Sequence, residues 1–288
     1  MDTTVKDLFL NRQAVIATMH KKEQVIAPIL EKELGICVTV PKNFNTDLFG
    51  TFTNEVERAG DQLQAARKKV EKAMKQSNVG IGISSEGSFG PHPFIPYLPY
   101  NRELVLLVDQ EQELEIVGHI ANSNTNYAQK VIKTVEEAYE FALSIGFPTH
   151  GVIVKTNSST TKMDEMVKGI TDVNHLHHVL HNLFSKSADS LYIETDMRAL
   201  YNPTRMKNIE LATIDLVSKI RSLCPNCSSP GFEVTESKKG LECEYCGCPT
   251  ELVRSHIFEC KKCNHQEEEL YPKGKEYADP SQCPLCNP

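Results

Sequence analysis

The 288-residue chain has no run of about 18 apolar residues, the length a membrane-spanning helix needs. Its start, MDTTVKDLFLNRQ, lacks the basic n-region and apolar h-region of a secretory signal, so a cytoplasmic protein with no membrane association is expected. There is no excess of basic charge: 31 Lys and Arg stand against 38 Asp and Glu, a formal net charge of −7. That field repels a phosphate backbone, and nucleic-acid binding would need a local basic patch. Low-complexity tracts are missing, and no repeat is longer than a cysteine pair. Cysteine itself is scarce before residue 220, where only Cys37 of the ten occurs.

The 40% hydrophobic and 24% charged fractions are those of an ordinary globular chain, long enough for one or two domains and a small appendage. AVIATM (14–19) reads as a strand leading into a helix over KKEQVIAPILEKELG, which Gly35 stops. ICVTV (36–40) reads as a second strand ended by Pro41. Asp61 is a plausible N-cap for DQLQAARKKVEKAMKQ. VGIGIS (79–84) predicts a strand ending at Glu86-Gly87, followed by an irregular loop held by Pro91, Pro93, Pro96 and Pro99. ELVLLVD (103–109) and LEIVGHI (114–120) predict a hairpin. Helices near 134–145 and 171–185 alternate with strands at 151–155 and 190–195, and residues 203–222 predict an amphipathic helix beginning at Pro203. The expected architecture is α/β, a mixed sheet with flanking helices over 1–222, plus a small C-terminal zinc-ribbon module over 223–288.

Nine cysteines follow residue 220, and eight form four C-x2-C pairs within 63 residues: Cys224 and Cys227, Cys243 and Cys246, Cys260 and Cys263, Cys283 and Cys286. Without an export signal this spacing points to two structural zinc ions, each held by four thiolates with no open position for water. Two pairings use the same residues. Sequential ribbons join the first pair with the second and the third with the fourth; a cross-brace joins first with third and second with fourth. The sequential arrangement is the simpler expectation. Gly247 suits the tight turn after Cys246, while Cys248, His256 and His265 are read as bystanders. Residues 221–288 carry 8 Lys or Arg against 11 Asp or Glu, so the module favours a structural role, a homodimer contact or a protein partner over nucleic acid.

Polar groups gather at the ends of predicted strands, where open α/β sheets place ligands. Thr18, His20, Lys21 and Lys22 lie between strand and helix, where backbone amides with Lys21 or Lys22 suit a phosphate or, equally, form a solvated basic turn. Glu55 and Glu57 stand upstream of Arg67, Lys68 and Lys69, an arrangement suited to Mg²⁺ and phosphate or, equally, to a charged helix face. Glu86 leaves an apolar strand near His92. Arg198 and Arg205 flank a helix N-terminus and form either an anion clamp or a structural salt bridge, and Asp196 is either a metal ligand in the catalytic set with Glu55, Glu57 and Glu86 or the partner of one arginine. His175, His177, His178 and His181 share a helix with apolar residues that favour a half-buried face over a metal site.

The phrases GTFTNEVERAG, SSEGSFGPHPFIPYLP, ETDMRALYNPTRM and CPNCSSPGF resemble those of a bacterial family of unknown function with a C-terminal cysteine-rich tail. The order IATMHKK, EVERAGDQLQAARKKVEKA, VGIGISSEG and PTRMKNIELATIDL is similar, more distantly, to inosine/xanthosine triphosphate pyrophosphatases. That resemblance implies phosphate contacts from Thr18 and Lys22, Mg²⁺ binding and water activation by Glu55 or Glu57 with Glu86, and substrate contact from Arg205. His20 stands where that family has Asn, and the strand ends Ser84-Ser85-Glu86-Gly87 without a paired acidic motif. The function expected is a Mg²⁺-dependent phosphohydrolase acting on a nucleotide or related phosphoanhydride. The alternative is a non-catalytic small-anion-binding adaptor whose zinc tail mediates association.

Overall fold

AVIA is buried throughout as part of β1 (Gln13–Ala17), the pattern of a strand covered on both faces. The computed structural model describes residues 3–42, 44, 61–186 and 189–288. A short helix, α1 (Thr3–Phe9), precedes β1, and α2 (Glu23–Leu34) follows it, burying Ile26, Leu30 and Leu34 at a spacing of four. Gly35, at φ 75°, caps α2 in the left-handed region that a side chain would resist. The second strand, β2 (Cys37–Thr39), is shorter than ICVTV suggests.

Asp61 does cap α3 (Gln62–Ser77): Gln64 N donates to Asp61 Oδ1 at 2.7 Å, and Asp61 N donates back to Gln64 Oε1 at 3.3 Å. Three long strands follow, β3 (Ile81–Pro91), β4 (Pro99–Asp109) and β5 (Leu114–Asn122). The sheet order is β2-β1-β3-β4-β5, with β1 parallel to both neighbours and β3, β4 and β5 an antiparallel meander. β3 does not end at Glu86-Gly87 but runs to Pro91, because β4 pairs with it from Ile81↔Asp109 to Pro91↔Pro99. The proline-rich loop shrinks to residues 92–98, closed by His92 N donating to Leu98 O at 2.8 Å.

A second sheet, in the order β6-β9-β7-β8, is built from β6 (Gln129–Ile132), β7 (Val152–Lys155), β8 (Met166–Ile170) and β9 (Leu191–Thr195). It packs with α4 (Val135–Ser144) and α5 (Val173–Lys186) around Phe141, Val154, Leu180 and Ile193. The body thus holds two sheets, and β6 and β8, its edge strands, were not foreseen. β6 is exposed at three of its four residues and lacks the buried alternation that marks a strand.

Two glycines set how closely helices approach the first sheet. A Cβ on Gly82 would lie 2.4 Å from Val70 Cγ2 of α3. On Gly118 it would lie 2.2 Å from the Ala212 carbonyl oxygen of α6 (Pro203–Arg221). Contacts divide the chain into two compact units, Thr3–Val217 and Ser218–Pro288. The second is built on an antiparallel sheet of β10 (Glu233–Lys239), β11 (Val253–Glu259) and β12 (Gln266–Leu270). Among the described residues no helix is long and apolar enough to cross a membrane.

Because backbone atoms of α6 cannot yield as a side-chain tip can, Gly118→Ala should cost about 1–3 kcal/mol in urea denaturation. Gly90→Ala, whose Cβ would meet nothing within 4 Å, should change stability by less than about 0.5 kcal/mol.

Candidate functional site

The chain leaves β1 through α2 to reach β2 on one side, then returns through α3 to β3 on the other. This reversal makes the carboxyl ends of β1 and β3 a topological switch point, where open α/β sheets leave a crevice. β1 and β3 pair as far as Ala17↔Ser84, and β3 then runs on without β1. Side chains take the carbonyls on that stretch. Lys22 Nζ donates to Ser85 O at 2.7 Å, and Gln62 Nε2 donates to Glu86 O at 2.7 Å. Thr18 Oγ1 accepts from His20 N at 3.3 Å in the turn that starts α2.

Charge is concentrated here out of contact with water. Lys69 of α3 forms an ion pair with Glu86 on one face of β3, both side chains under a tenth exposed. On the other face Arg205 Nε donates to Glu103 Oε1 at 2.7 Å, and its Nη1 donates to Met197 O at 2.5 Å. The guanidinium also lies 5.1 Å over the Phe89 ring. Gly87 makes room: a Cβ there would sit 2.4 Å from Glu103 Oε1 and 2.6 Å from Arg205 Nη2. Lys22 is the third cation. Burial first, then the positive charge of Arg205, lowers its pKa from 10.5 to about 7, although Glu86 and Glu103 pull the other way. Three cations face two carboxylates, so the cluster carries surplus positive charge whenever Lys22 is protonated.

Of the residues singled out in the sequence, Thr18, Lys22, Glu86 and Arg205 come together in this region, with His20 on the same turn. Asp196 and Arg198 form a separate pair. Asp196 is fully buried at the end of β9 and accepts from Gly169 N at 2.9 Å, Arg198 N at 3.0 Å and Arg198 Nη2 at 2.6 Å. Of the two readings open for it, the geometry is that of the internal salt bridge. Glu55 and Glu57 lie outside the described residues. Arg67 turns outward to Glu115 at 2.6 Å, whereas Lys69 turns in. Glu103 was overlooked. Its signal was the alternation of ELVLLVD, which puts Glu103 on one face with Val105, Leu107 and Asp109. Asp109, at the other end of that face, is likewise buried and paired, with Arg12. The histidines of α5 are exposed while Leu176, Val179, Leu180 and Leu183 are buried, a half-buried helix.

The cysteines form two interleaved sets: Cys224, Cys227, Cys260 and Cys263, and Cys243, Cys246, Cys283 and Cys286. The expected sequential pairing is therefore replaced by the cross-brace. Strand direction is the reason. β11 runs antiparallel to β10, with Glu233 opposite Glu259, so the chain entering β10 and the chain leaving β11 lie side by side. β12 reverses again, with Gln266 opposite Glu259 and Leu270 opposite Ser255, and carries the last pair to the far end. Seven-residue strands separate the ends by about 20 Å.

The donor geometry fits zinc. A tetrahedral ion with Zn–S bonds of about 2.3 Å needs sulfur atoms about 3.8 Å apart. Cys224 to Cys263 is 3.7 Å, Cys227 to Cys260 3.6 Å, Cys243 to Cys286 3.9 Å and Cys246 to Cys283 3.6 Å. One turn builds every knuckle, the residue four after the first cysteine donating to its carbonyl: Ser228, Gly247, Asn264 and Asn287, at 2.8 to 2.9 Å. Ser228, Gly247 and Asn264 have positive φ. Each set can hold one zinc, and four thiolates leave no position for a reacting water.

Two outcomes follow. Elemental analysis should find two zinc ions per chain, and the double substitution Cys227→Ser with Cys260→Ser should remove one, since both belong to one set; sequential pairing would remove both. For Lys22, the unfolded chain keeps a proton that the folded chain has lost between about pH 7 and 10.5, so this group raises stability with increasing pH across that window. Lys22→Met should flatten that part of the profile relative to the unaltered protein, read by urea denaturation from neutral to alkaline pH.

A search of curated proteins returned no match. The family model for a domain of unknown function, DUF6671, matches residues 69–288, from Lys69 in α3 through the last cysteine knuckle. Thr18 and Lys22 precede the matched span, while Lys69, Glu86, Glu103, Arg205 and all eight paired cysteines fall inside it. With about three quarters of its length matched, the chain belongs to the DUF6671 family.

Proposed function

We propose that the Thr3–Val217 unit binds a small phosphate-bearing molecule, a nucleotide or related phosphoanhydride, in the crevice at the carboxyl ends of β1 and β3. The observation that carries this reading is the excess of cations at a switch point: Lys69 pairs with Glu86 on one face of β3, Arg205 with Glu103 on the other, and Lys22, on the Ser85 carbonyl between them, has no carboxylate of its own among the described residues. A buried site with surplus positive charge is costly empty and is relieved by an anion. The affected group is Lys22, whose amine has lost most of its proton affinity and would regain it beside a phosphate.

The finer form of the reading is Mg²⁺-dependent hydrolysis, supported by the motif order similar to inosine/xanthosine triphosphate pyrophosphatases. Among the described residues only the cysteine sets gather three or more metal-ligating side chains. Mg²⁺ would therefore rest on the phosphates with Glu86, a combination that suits this ion, and would offset charge on the phosphate oxygens. Lys69 would then pass from Glu86 to a phosphate oxygen. Glu86, so released, would take a proton from the attacking water as its oxygen bonds to phosphorus and the bridging P–O bond breaks. The second reading is binding without catalysis, favoured by the Lys69–Glu86 ion pair, which occupies the carboxylate that would activate water.

Calorimetry with phosphate, pyrophosphate and nucleoside triphosphates, with and without Mg²⁺, tests the binding. At pH 8 it should be accompanied by proton uptake, and Lys22→Met should weaken it about tenfold or more. Phosphate or pyrophosphate release that Glu86→Gln abolishes while keeping the affinity would support hydrolysis. Binding with no release would assign the non-catalytic role, and no binding of any of these anions would sink both.

A further inference from the structure

The four cysteine knuckles share one turn, yet their tips differ. In the first set the tips are Pro225-Asn226 and Lys261-Lys262; in the second they are Glu244-Tyr245 and Pro284-Leu285. The polar tips show that the turn needs no apolar side chain. Nevertheless Tyr245 is 83% exposed and Leu285 69% exposed, on knuckles that close on the same metal position. Tyr277, 54% exposed, is brought to this lobe because Glu244 N donates to Ala278 O at 3.0 Å and Ala278 N donates to Glu242 O at 2.8 Å. Three large apolar side chains thus stand in water on a backbone fixed by metal ligation, an ordering cost already met before any partner arrives.

The surrounding charge identifies the partner's chemistry. Glu242, Glu244 and Glu276 are exposed, and none has an ion-pair partner among the described residues. A zinc ion with four thiolates adds a charge of about −2 to this lobe. Lys273 and Lys275 are the exposed cations in the same stretch of chain. Nucleic acid and anionic lipid would be repelled by such a surface. We propose that the lobe formed by Cys243, Cys246, Cys283 and Cys286 is a docking site for a protein segment whose apolar side chains are flanked by Lys and Arg, with Tyr245 and Leu285 as anchors and the glutamates as rim.

The test uses the full zinc-loaded chain and a fluorescein-labelled peptide in which Leu and Phe are interspersed with Lys and Arg. Two control peptides replace Lys and Arg with Glu, or Leu and Phe with Ser. Saturable, salt-weakened binding of the first peptide alone is expected, with amide shifts confined to residues 242–246 and 276–286. Tyr245→Ser with Leu285→Ser should weaken it about tenfold or more, as loss of an aromatic anchor does, while zinc content stays at that of the parent. Should that variant lose zinc, Glu242→Gln with Glu244→Gln carries the test through the salt dependence. The proposal is overturned by equal binding of the three peptides, by shifts mapping to the Lys261-Lys262 knuckle, or by no binding. A dimer in light scattering that the Tyr245→Ser, Leu285→Ser variant converts to monomer would assign the face to a second copy and overturn it equally.

Discussion

Among the described residues Arg205 is the largest fully buried side chain, and its charge joins the two sheets of the body. A guanidinium out of water needs its donors met, and it finds them on both sheets: Glu103 belongs to β4 of the first, and Met197 O follows β9 of the second. The ion pair gains little net stability over an apolar substitute, but leaving either partner alone would cost about 3–5 kcal/mol. Such a contact therefore acts through specificity, tying α6 to one sheet and the end of the other sheet to α6. Gly87 is the local condition for it, because any side chain there would occupy the space in which Glu103 and Arg205 meet.

The same arrangement bears on ligand chemistry. Burial first, and then Arg205, lower the proton affinity of Lys22, which in turn holds the Ser85 carbonyl that β1 no longer reaches. Structure and candidate site are thus one network. An anion bound here, as proposed, would change the charge balance on groups that also secure helix to sheet and would so couple binding to stability.

In the second unit the controlling constraint is strand direction. Two reversals of a short antiparallel sheet deliver cysteine pairs to opposite ends, and the thiolates then meet by proximity in space instead of proximity in sequence. The cross-brace also explains why the two ends can differ in surface chemistry. Each set of four cysteines can hold its own ion, and the basic tips belong to one set while the acidic and apolar tips belong to the other.

Much was legible from local signals. Apolar runs and spacing placed β1, α2, α6 and the β4–β5 hairpin, strong helix formers behind Asp61 placed α3, and the repeated C-x2-C spacing picked out the cysteines that can hold metal, because all are properties of a few consecutive residues. Thr18, Lys22, Glu86 and Arg205 each stand out at a predicted strand end or helix start, but their proximity is a property of the tertiary structure. What only the tertiary structure decided depends on residues distant in sequence. β3 continues past Glu86 because β4 pairs with it; Lys69 and Glu103 become buried because opposite faces of the sheet are covered; Asp196 accepts from the Gly169 amide at the end of another strand. The cysteine pairing was open for the same reason: spacing along a chain is compatible with either partner, and it is the register of β10, β11 and β12 that chooses.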